Sequence, residues 1–264
     1  RFQVDYGNAY LESEHQLLYH ISPNHGSFQA IDIETITMDW SVISGSIGLN
    51  TFIDLFPIQD KIFVTQKDGR IRGFEASGQL YYSATVENYY STALAYSENV
   101  LVSGETNKTD GTFRIAQYYI ASGQSRNFLK VDFGEIRYIH CYDHLGAIVI
   151  GQKGSAMELN HYLLSGSNLD SETTQSNQTF LAAQHLDGTN YLVLTETSLL
   201  RVQKGFDKWD VHTVKTSTDF KGMTWDELSR NIWLIKENGV EVINENGDDL
   251  LSYEINDLEN ILFR

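Results

Sequence analysis

Cysteine, proline, positive charge and long apolar runs are all scarce in this chain, and each scarcity removes a class of protein. One cysteine, Cys141, in 264 residues rules out an internal disulfide and leaves the redox compartment open. Two prolines, Pro23 and Pro57, exclude a proline-rich linker. No apolar run reaches ~18 residues, so no transmembrane helix is read and this segment is not expected to insert into a membrane. Nineteen Lys and Arg against 35 Asp and Glu leave a formal charge of −16. Phosphate binding needs a basic surface, so nucleic acid is excluded as a partner, and an anionic membrane surface is disfavoured for the same reason. The acidic balance serves solubility, and a basic protein partner is its other use. A serine nucleophile elbow, a phosphate loop and an HExxH helix are all missing.

What remains is a strand-forming chain. Apolar residues make up 41% and aromatics 12%, with 15 Tyr, 13 Phe and 4 Trp. That composition fits a globular, β-rich protein. The stretch Lys61–Ser83 reads as three strands joined by two glycine turns, Lys67-Asp68-Gly69 and Ser77-Gly78. Its second turn recurs, because Ala76-Ser77-Gly78-Gln79 returns letter for letter as Ala121-Ser122-Gly123-Gln124. Glycines at 78, 123, 166, 205 and 247 each follow a strand-like run, with steps of 45, 43, 39 and 42. Glycine suits such a turn because a positive φ is expected there.

A period near 42 without helical periodicity is the pattern of propeller blades, each roughly 40–45 residues. The chain divides into six blades over about 7–45, 50–86, 90–132, 136–175, 178–215 and 219–256. The predicted fold is all-β, a six-bladed β-propeller of four-stranded blades forming a single domain over residues 1–264. Seven blades is the alternative, although only 13 residues remain at the two ends for another sheet. Asn260–Phe263 or Phe2–Asp5 is expected to complete a sheet from the opposite end, because an open sheet edge invites aggregation. Second strands such as Ile62-Phe63-Val64 and Ala147-Ile148-Val149-Ile150 are apolar throughout, as strands buried on both faces should be. Ser165–Asn177 is polar and reads as a long exposed connection.

The repeat resembles that of pyrroloquinoline-quinone-like propellers. That pattern joins an apolar strand and an Asp-Gly turn to a strand ending in Ala-hydrophobic-Asp, then a Ser-Gly-Gln-type turn and a strand with Trp. Asp68-Gly69, Phe74-Glu75, Ser77-Gly78-Gln79 and Tyr82 match it, as do Gly26-Ser27, Ala30-Ile31-Asp32 and Trp40, and Gly111 with Ser122-Gly123-Gln124. The match spans about residues 14–131. The resemblance implies a scaffold like the BamB lipoprotein of the bacterial outer-membrane assembly machine. A second scaffold of the group is the lumenal propeller of the largest subunit of the endoplasmic-reticulum membrane protein complex. Either would place the chain in a secretory compartment, the periplasm and cell envelope or the ER lumen. The chain begins at Arg1, not Met, and a removed secretory signal is one way to produce that end. Quinone-dependent relatives carry a Trp in nearly every repeat; here Trp40 and Trp209 alone fall at that position, so no cofactor is expected.

The function expected is therefore a non-enzymatic, protein-binding scaffold. A propeller glycoside hydrolase or lyase with its site at the central channel is the alternative, and a carrier of a small ligand there is a third. Propeller loops between strands two and three, with the connections between blades, form one face. Tyr89 and Tyr90, read as lying in such a connection, are the candidate partner-binding residues, because Tyr adds contact area at little entropic cost. Asn107 and Asn177 open glycosylation sequons, Asn107-Lys108-Thr109 and Asn177-Gln178-Thr179. His140-Cys141-Tyr142-Asp143-His144 is the densest set of possible metal ligands. Alternation along a strand divides it between two faces, so no metal site is assigned. His20 and His25 read as turn residues. Asn244–Asp249 has the composition of a calcium loop without the required residue order, and reads as a turn.

Overall fold

The structure is a computed structural model that describes residues 9–12, 15–22, 26–35, 37–43, 52–58, 60–131, 134–142, 146–165, 168–174, 178–206, 208–226 and 228–254. Its strands group in fours. Blade 1 comprises Ala9–Glu12, Leu17–Ser22, Ser27–Asp32 and Thr37–Ile43 (β1–β4). Blade 2 comprises Phe52–Ile58, Lys61–Gln66, Arg70–Phe74 and Leu80–Thr85 (β5–β8), and blade 3 Tyr89–Ser97, Val100–Asn107, Phe113–Tyr119 and Ser125–Val131 (β9–β12). Blade 4 comprises Glu135–Cys141, Gly146–Lys153, Ala156–Leu163 and Asn168–Thr174 (β13–β16). Blade 5 comprises Phe180–Asp187, Asn190–Thr195, Ser198–Lys204 and Trp209–Thr216 (β17–β20), and blade 6 Phe220–Asp226, Asn231–Lys236, Gly239–Asn244 and Asp249–Glu254 (β21–β24). Each group is one antiparallel meander in chain order, and no helix occurs among the described residues. The protein is a six-bladed β-propeller.

Two strand assignments change. Ser165–Asn177 holds the fourth strand of blade 4, Asn168–Thr174, and is not only a connection. Its sequence, Asn-Leu-Asp-Ser-Glu-Thr-Thr, has no apolar alternation, and that hid it. The first strand of blade 3 begins at Tyr89, which takes Tyr89 and Tyr90 out of the connection and into the sheet. The proposed pairing of Asn260–Phe263 with Phe2–Asp5 lies outside the described residues.

By packing, the chain divides into two compact units, Arg1–Val149 with His161–Leu169, and Ile150–Asn160 with Asp170–Arg264. In the first, apolar layers fill the spaces between blades 1 and 2 (Leu17, Tyr19, Phe28, Ile62, Val64), blades 2 and 3 (Phe63, Tyr82, Leu94, Leu101, Ala116), and blades 3 and 4 (Val102, Ile115, Ile136, Val149). In the second, Leu192, Leu194, Leu199, Phe220, Ile232, Leu234 and Ile243 form the layer between blades 5 and 6. The apolar second strands of blades 2, 3, 4 and 5 are buried along their apolar runs, as sheets covered on both faces require, whereas in blade 6 Trp233 of the Ile232–Ile235 run is exposed.

The repeated glycine turn has a structural purpose. Trp40 of β4 donates its indole N–H to the Ala76 carbonyl in the turn of blade 2, at 2.8 Å. Gly78 of that turn has φ +82°, and a Cβ there would stand 2.8 Å from the Trp40 ring. The turn between strands three and four of one blade thus rests on the fourth strand of the blade before it. Gly123 against the Ser83 carbonyl and Gly247 against the Val214 carbonyl repeat the contact, both at positive φ. Gly205 lacks the positive φ its spacing predicted, and Gly166 lies outside the described residues.

Candidate functional site

Strand register brings a polar group to one face of blade 3. Paired residues on neighbouring strands share a face. Tyr89 pairs with Asn107, Ser91 with Glu105, and Glu105 with Arg114. The register of β9 against β10 shifts at Gly104/Glu105, a bulge that leaves Thr92 over. Its hydroxyl turns to the Ile136 carbonyl, 2.7 Å away. Toward one end of the blade this face is apolar, with Leu94, Leu101 and Ala116 against Phe63 of blade 2. Toward the other end it is charged and aromatic.

Glu105 is the anchor. It is wholly buried, accepts a hydrogen bond from the Tyr118 hydroxyl at 2.5 Å, and pairs with Arg114 Nε at 2.7 Å. Burial pushes its carboxyl above the ordinary glutamate range, against the pull of Tyr118 and Arg114. Burial also raises the phenols of Tyr118 and Tyr82, and the Glu105 charge adds to both shifts. The Tyr82 hydroxyl is buried without a hydrogen-bond partner.

Arg114 carries the charge outward. Its guanidinium carbon lies 3.6 Å from the Tyr89 ring centre and 4.1 Å from that of Phe128, so it is stacked between two aromatic faces. Phe128 is 47% exposed. A hydrogen bond from Asn107, another from Thr112 and the Arg114 charge hold the Tyr89 phenol below its ordinary value. The Asn107 side-chain oxygen Oδ1 also accepts from the backbone N–H groups of Thr109 and Asp110. Next to this plate, Lys108 donates to the Asp68 carbonyl at 2.8 Å, and its N–H bonds to the Asn88 carbonyl. The Lys67–Gly69 turn, the Asn88 connection and the Lys108–Thr112 loop therefore meet on the face where partner binding was expected.

Of the residues singled out from sequence, Tyr89 belongs to this plate. Tyr90 pairs with Thr106 and points to the other side of the sheet; both rings are half-buried. Asn107 is a half-buried member of the plate, and Asn177 lies outside the described residues. Cys141 packs against the layer between blades 3 and 4, and Asp143 and His144 lie outside the described residues. Tyr142 instead hydrogen-bonds His161, a residue distant in sequence. His20 is a buried strand residue of β2, and His25 is not described. Asn244 closes its own turn by accepting from the N–H groups of Asn246 and Asp248. Among the described residues no three His, Cys, Asp or Glu side chains converge as metal ligands. Sequence reasoning missed Glu105, Arg114 and Phe128. The signal for the first two was a lone acid in the apolar run Val100–Glu105, facing a lone arginine across a hairpin.

No protein-family model matches the sequence, and no curated protein matches it. Among solved structures, the chain is similar to the β-propeller domain of Cps50 (Swd1) from Myceliophteria thermophila, with a TM-score of 0.72 at 8% identity. The likeness covers 96% of this chain and 88% of that one. It establishes the propeller fold. No helix among the described residues is long and apolar enough to cross a membrane.

Proposed function

We propose that this protein is a non-enzymatic scaffold whose partner, a protein, docks on the face of blades 2 and 3 centred on Tyr89, Arg114 and Phe128. One observation carries the reading: a guanidinium fixed between two rings and tied to a buried carboxylate. Tyr and Arg are the residue types that dominate interface energetics, and here their ordering cost is met before any partner arrives. The acidic surface favours a partner with basic character. Nucleic acid is not a partner in this reading. The single-domain reading of residues 1–264 and the kinship with pyrroloquinoline-quinone-like scaffolds belong to it as well, as does a role in membrane-protein assembly within a secretory compartment. There Asn107 and Asn177 would meet the glycosylation machinery. A glycan on Asn107 would stand beside Tyr89, so the glycosylated and partner-bound forms would exclude each other.

The enzyme alternative gains nothing from this site. Glu105 has the raised pKa of a general acid, but it is wholly buried and engaged by Tyr118 and Arg114, out of reach of a substrate. Affinity capture from source extract tests the scaffold reading, using the wild type, Tyr89→Ala, Phe128→Ala and, as the opposite-side control, Tyr90→Ala. A partner held by the wild type and by Tyr90→Ala, and lost with Tyr89→Ala and Phe128→Ala, is the expected result. If every captured protein survives both plate substitutions in folded variants, this face is not the docking face.

A further inference from the structure

The outermost strand of blade 6, β24, is more exposed than β8, the outermost strand of blade 2. β24 ends the sheet order β21-β22-β23-β24, so its outer edge pairs with no strand among the described residues. All six of its residues are exposed, including Leu250 at 47%, Leu251 at 51% and Tyr253 at 49%. The equivalent β8 alternates between exposed and buried residues, and the Lys61 ammonium sits over its Tyr81 ring. Edge strands are ordinarily protected by a central charge or proline. The four central residues of β24, Leu250 to Tyr253, contain neither.

Pairing with β23 gives this edge two distinct faces. Leu251 stands opposite Val242 and Tyr253 opposite Val240, so an apolar row continues from the blade to its rim. The register shifts at Val242/Ile243, leaving Leu250 as the extra residue and setting Asp249 opposite Ile243. Asp249, Ser252 and Glu254 thereby share the other face with Glu241. Lys215 binds both Asp249 and Glu241, as that sharing requires. One face of the rim is apolar; the other carries the acids, with Lys215 on Asp249 and Glu241 and Lys236 on Glu241, and ends at Glu254.

A second copy of the strand is a poor occupant. Antiparallel self-pairing over its full length would set Asp249 opposite Glu254 at both ends, and directly opposed like charges destabilise a sheet. We propose that β24 is a docking edge for an extended segment of a partner protein in which apolar and basic residues alternate. The backbone of that segment extends the sheet. Its apolar side chains cover Leu251 and Tyr253, and its basic side chains meet Glu254 on the other face, where Lys215 already holds Asp249.

A capped, fluorescein-labelled nine-residue peptide alternating Val and Lys is the probe, titrated by anisotropy in ~150 mM salt, where distant charges are screened. Saturable binding is expected. It should weaken at least about tenfold for a peptide with the same residues in blocks, for a Val/Glu alternating peptide, and for the Leu251→Thr/Tyr253→Thr variant, which leaves the charge unchanged. Both positions are exposed, and circular dichroism and the melting temperature verify that the variant folds; Tyr253→Thr alone gives an intermediate loss. Absent saturation, equal affinity for the block peptide, or unchanged affinity of the double variant each overturns the proposal. A tenfold gain on trimming residues 255–264 would assign the edge to this chain's own end, and a dimer dispersed by Leu251→Thr/Tyr253→Thr would assign it to a second copy. Either result also overturns it.

Discussion

The layer between blades 5 and 6 and the layer between blades 2 and 3 hold their blades together with different chemistry. The first is hydrocarbon, with Leu192, Leu194, Leu199, Ile232 and Leu234 at its centre and ionic groups at its rim. Arg230, for example, bonds Glu245 at 2.6 Å with half of its side chain in solvent. The second is hydrocarbon only in part, and continues into the buried pair of Glu105 and Arg114. Taking a carboxylate out of water costs several kcal/mol, and well-packed apolar groups of similar volume often stabilise as well or better. Cohesion alone therefore does not call for Glu105. What the pair achieves, and the hydrocarbon layer does not, is a guanidinium held at a fixed place between Tyr89 and Phe128.

The comparison breaks or stands first on its two arginines. Arg114→Ala leaves Glu105 buried without its cation and should cost about 3–5 kcal/mol. Arg230→Ala removes an exposed, solvent-screened pair and should cost far less than Arg114→Ala. Urea denaturation of the two variants measures both losses, and equal losses would erase the distinction. Replacing both members of the buried pair, as Arg114→Met/Glu105→Leu, should recover most of the stability while abolishing partner capture.

What the two layers share can be tested as well. Gly123 and Gly247 both lie at positive φ with a carbonyl within 2.8 Å of where a Cβ would stand. Gly123→Ala and Gly247→Ala should each cost roughly 1–2 kcal/mol from the backbone alone, with crowding added. A large effect in only one unit would show that the turn-on-strand contact is not equivalent in the two. A smaller contrast lies within the polar layer. Tyr118→Phe removes a donor to Glu105 and should cost about 1–3 kcal/mol, whereas Tyr82→Phe removes a hydroxyl that has no partner and should be near neutral. Thermal melts resolve that difference.

The shared part was also the legible part. Repetition shows in a sequence because each turn solves the same local problem, and glycine spacing with apolar second strands sufficed to count six blades. The polar layer was not legible in the same way. Arg114 and Phe128 meet Tyr89 through pairing across four strands and a bulge at Gly104/Glu105, and a bulge moves side chains from one face to the other. As neighbours on one strand Tyr89 and Tyr90 face opposite sides, and local alternation could not say which of them joins the plate. The fourth strand of blade 4 was missed for the converse reason: its sequence has no apolar alternation, so its polar residues read as loop.

The smallest expected effect is a pair of opposite pH slopes. Burial holds the Glu105 carboxyl above the ordinary glutamate range. Its folded value exceeds its unfolded one, so the contribution of this group to stability is complete below about pH 4.3 and declines as pH rises through the folded value. Asp249, beside the layer between blades 5 and 6, is shifted the other way, held below the ordinary aspartate range by hydrogen bonds with Lys215 and Glu241. Its contribution is present above about pH 3.9 and is lost as pH falls through its lower folded value. Urea midpoints of the wild type, Glu105→Gln and Asp249→Asn across pH 3 to 8 separate the two. Relative to Glu105→Gln, the wild type should lose ground as pH climbs from about 4.5 toward neutrality. Relative to Asp249→Asn, it should lose ground only in acid, below about pH 4. A difference between wild type and Glu105→Gln that stays constant from pH 4 to 8 would mean that burial does not raise the carboxyl. The buried pair would then behave like the exposed one at Arg230, and the contrast between the two layers would lose its electrostatic basis.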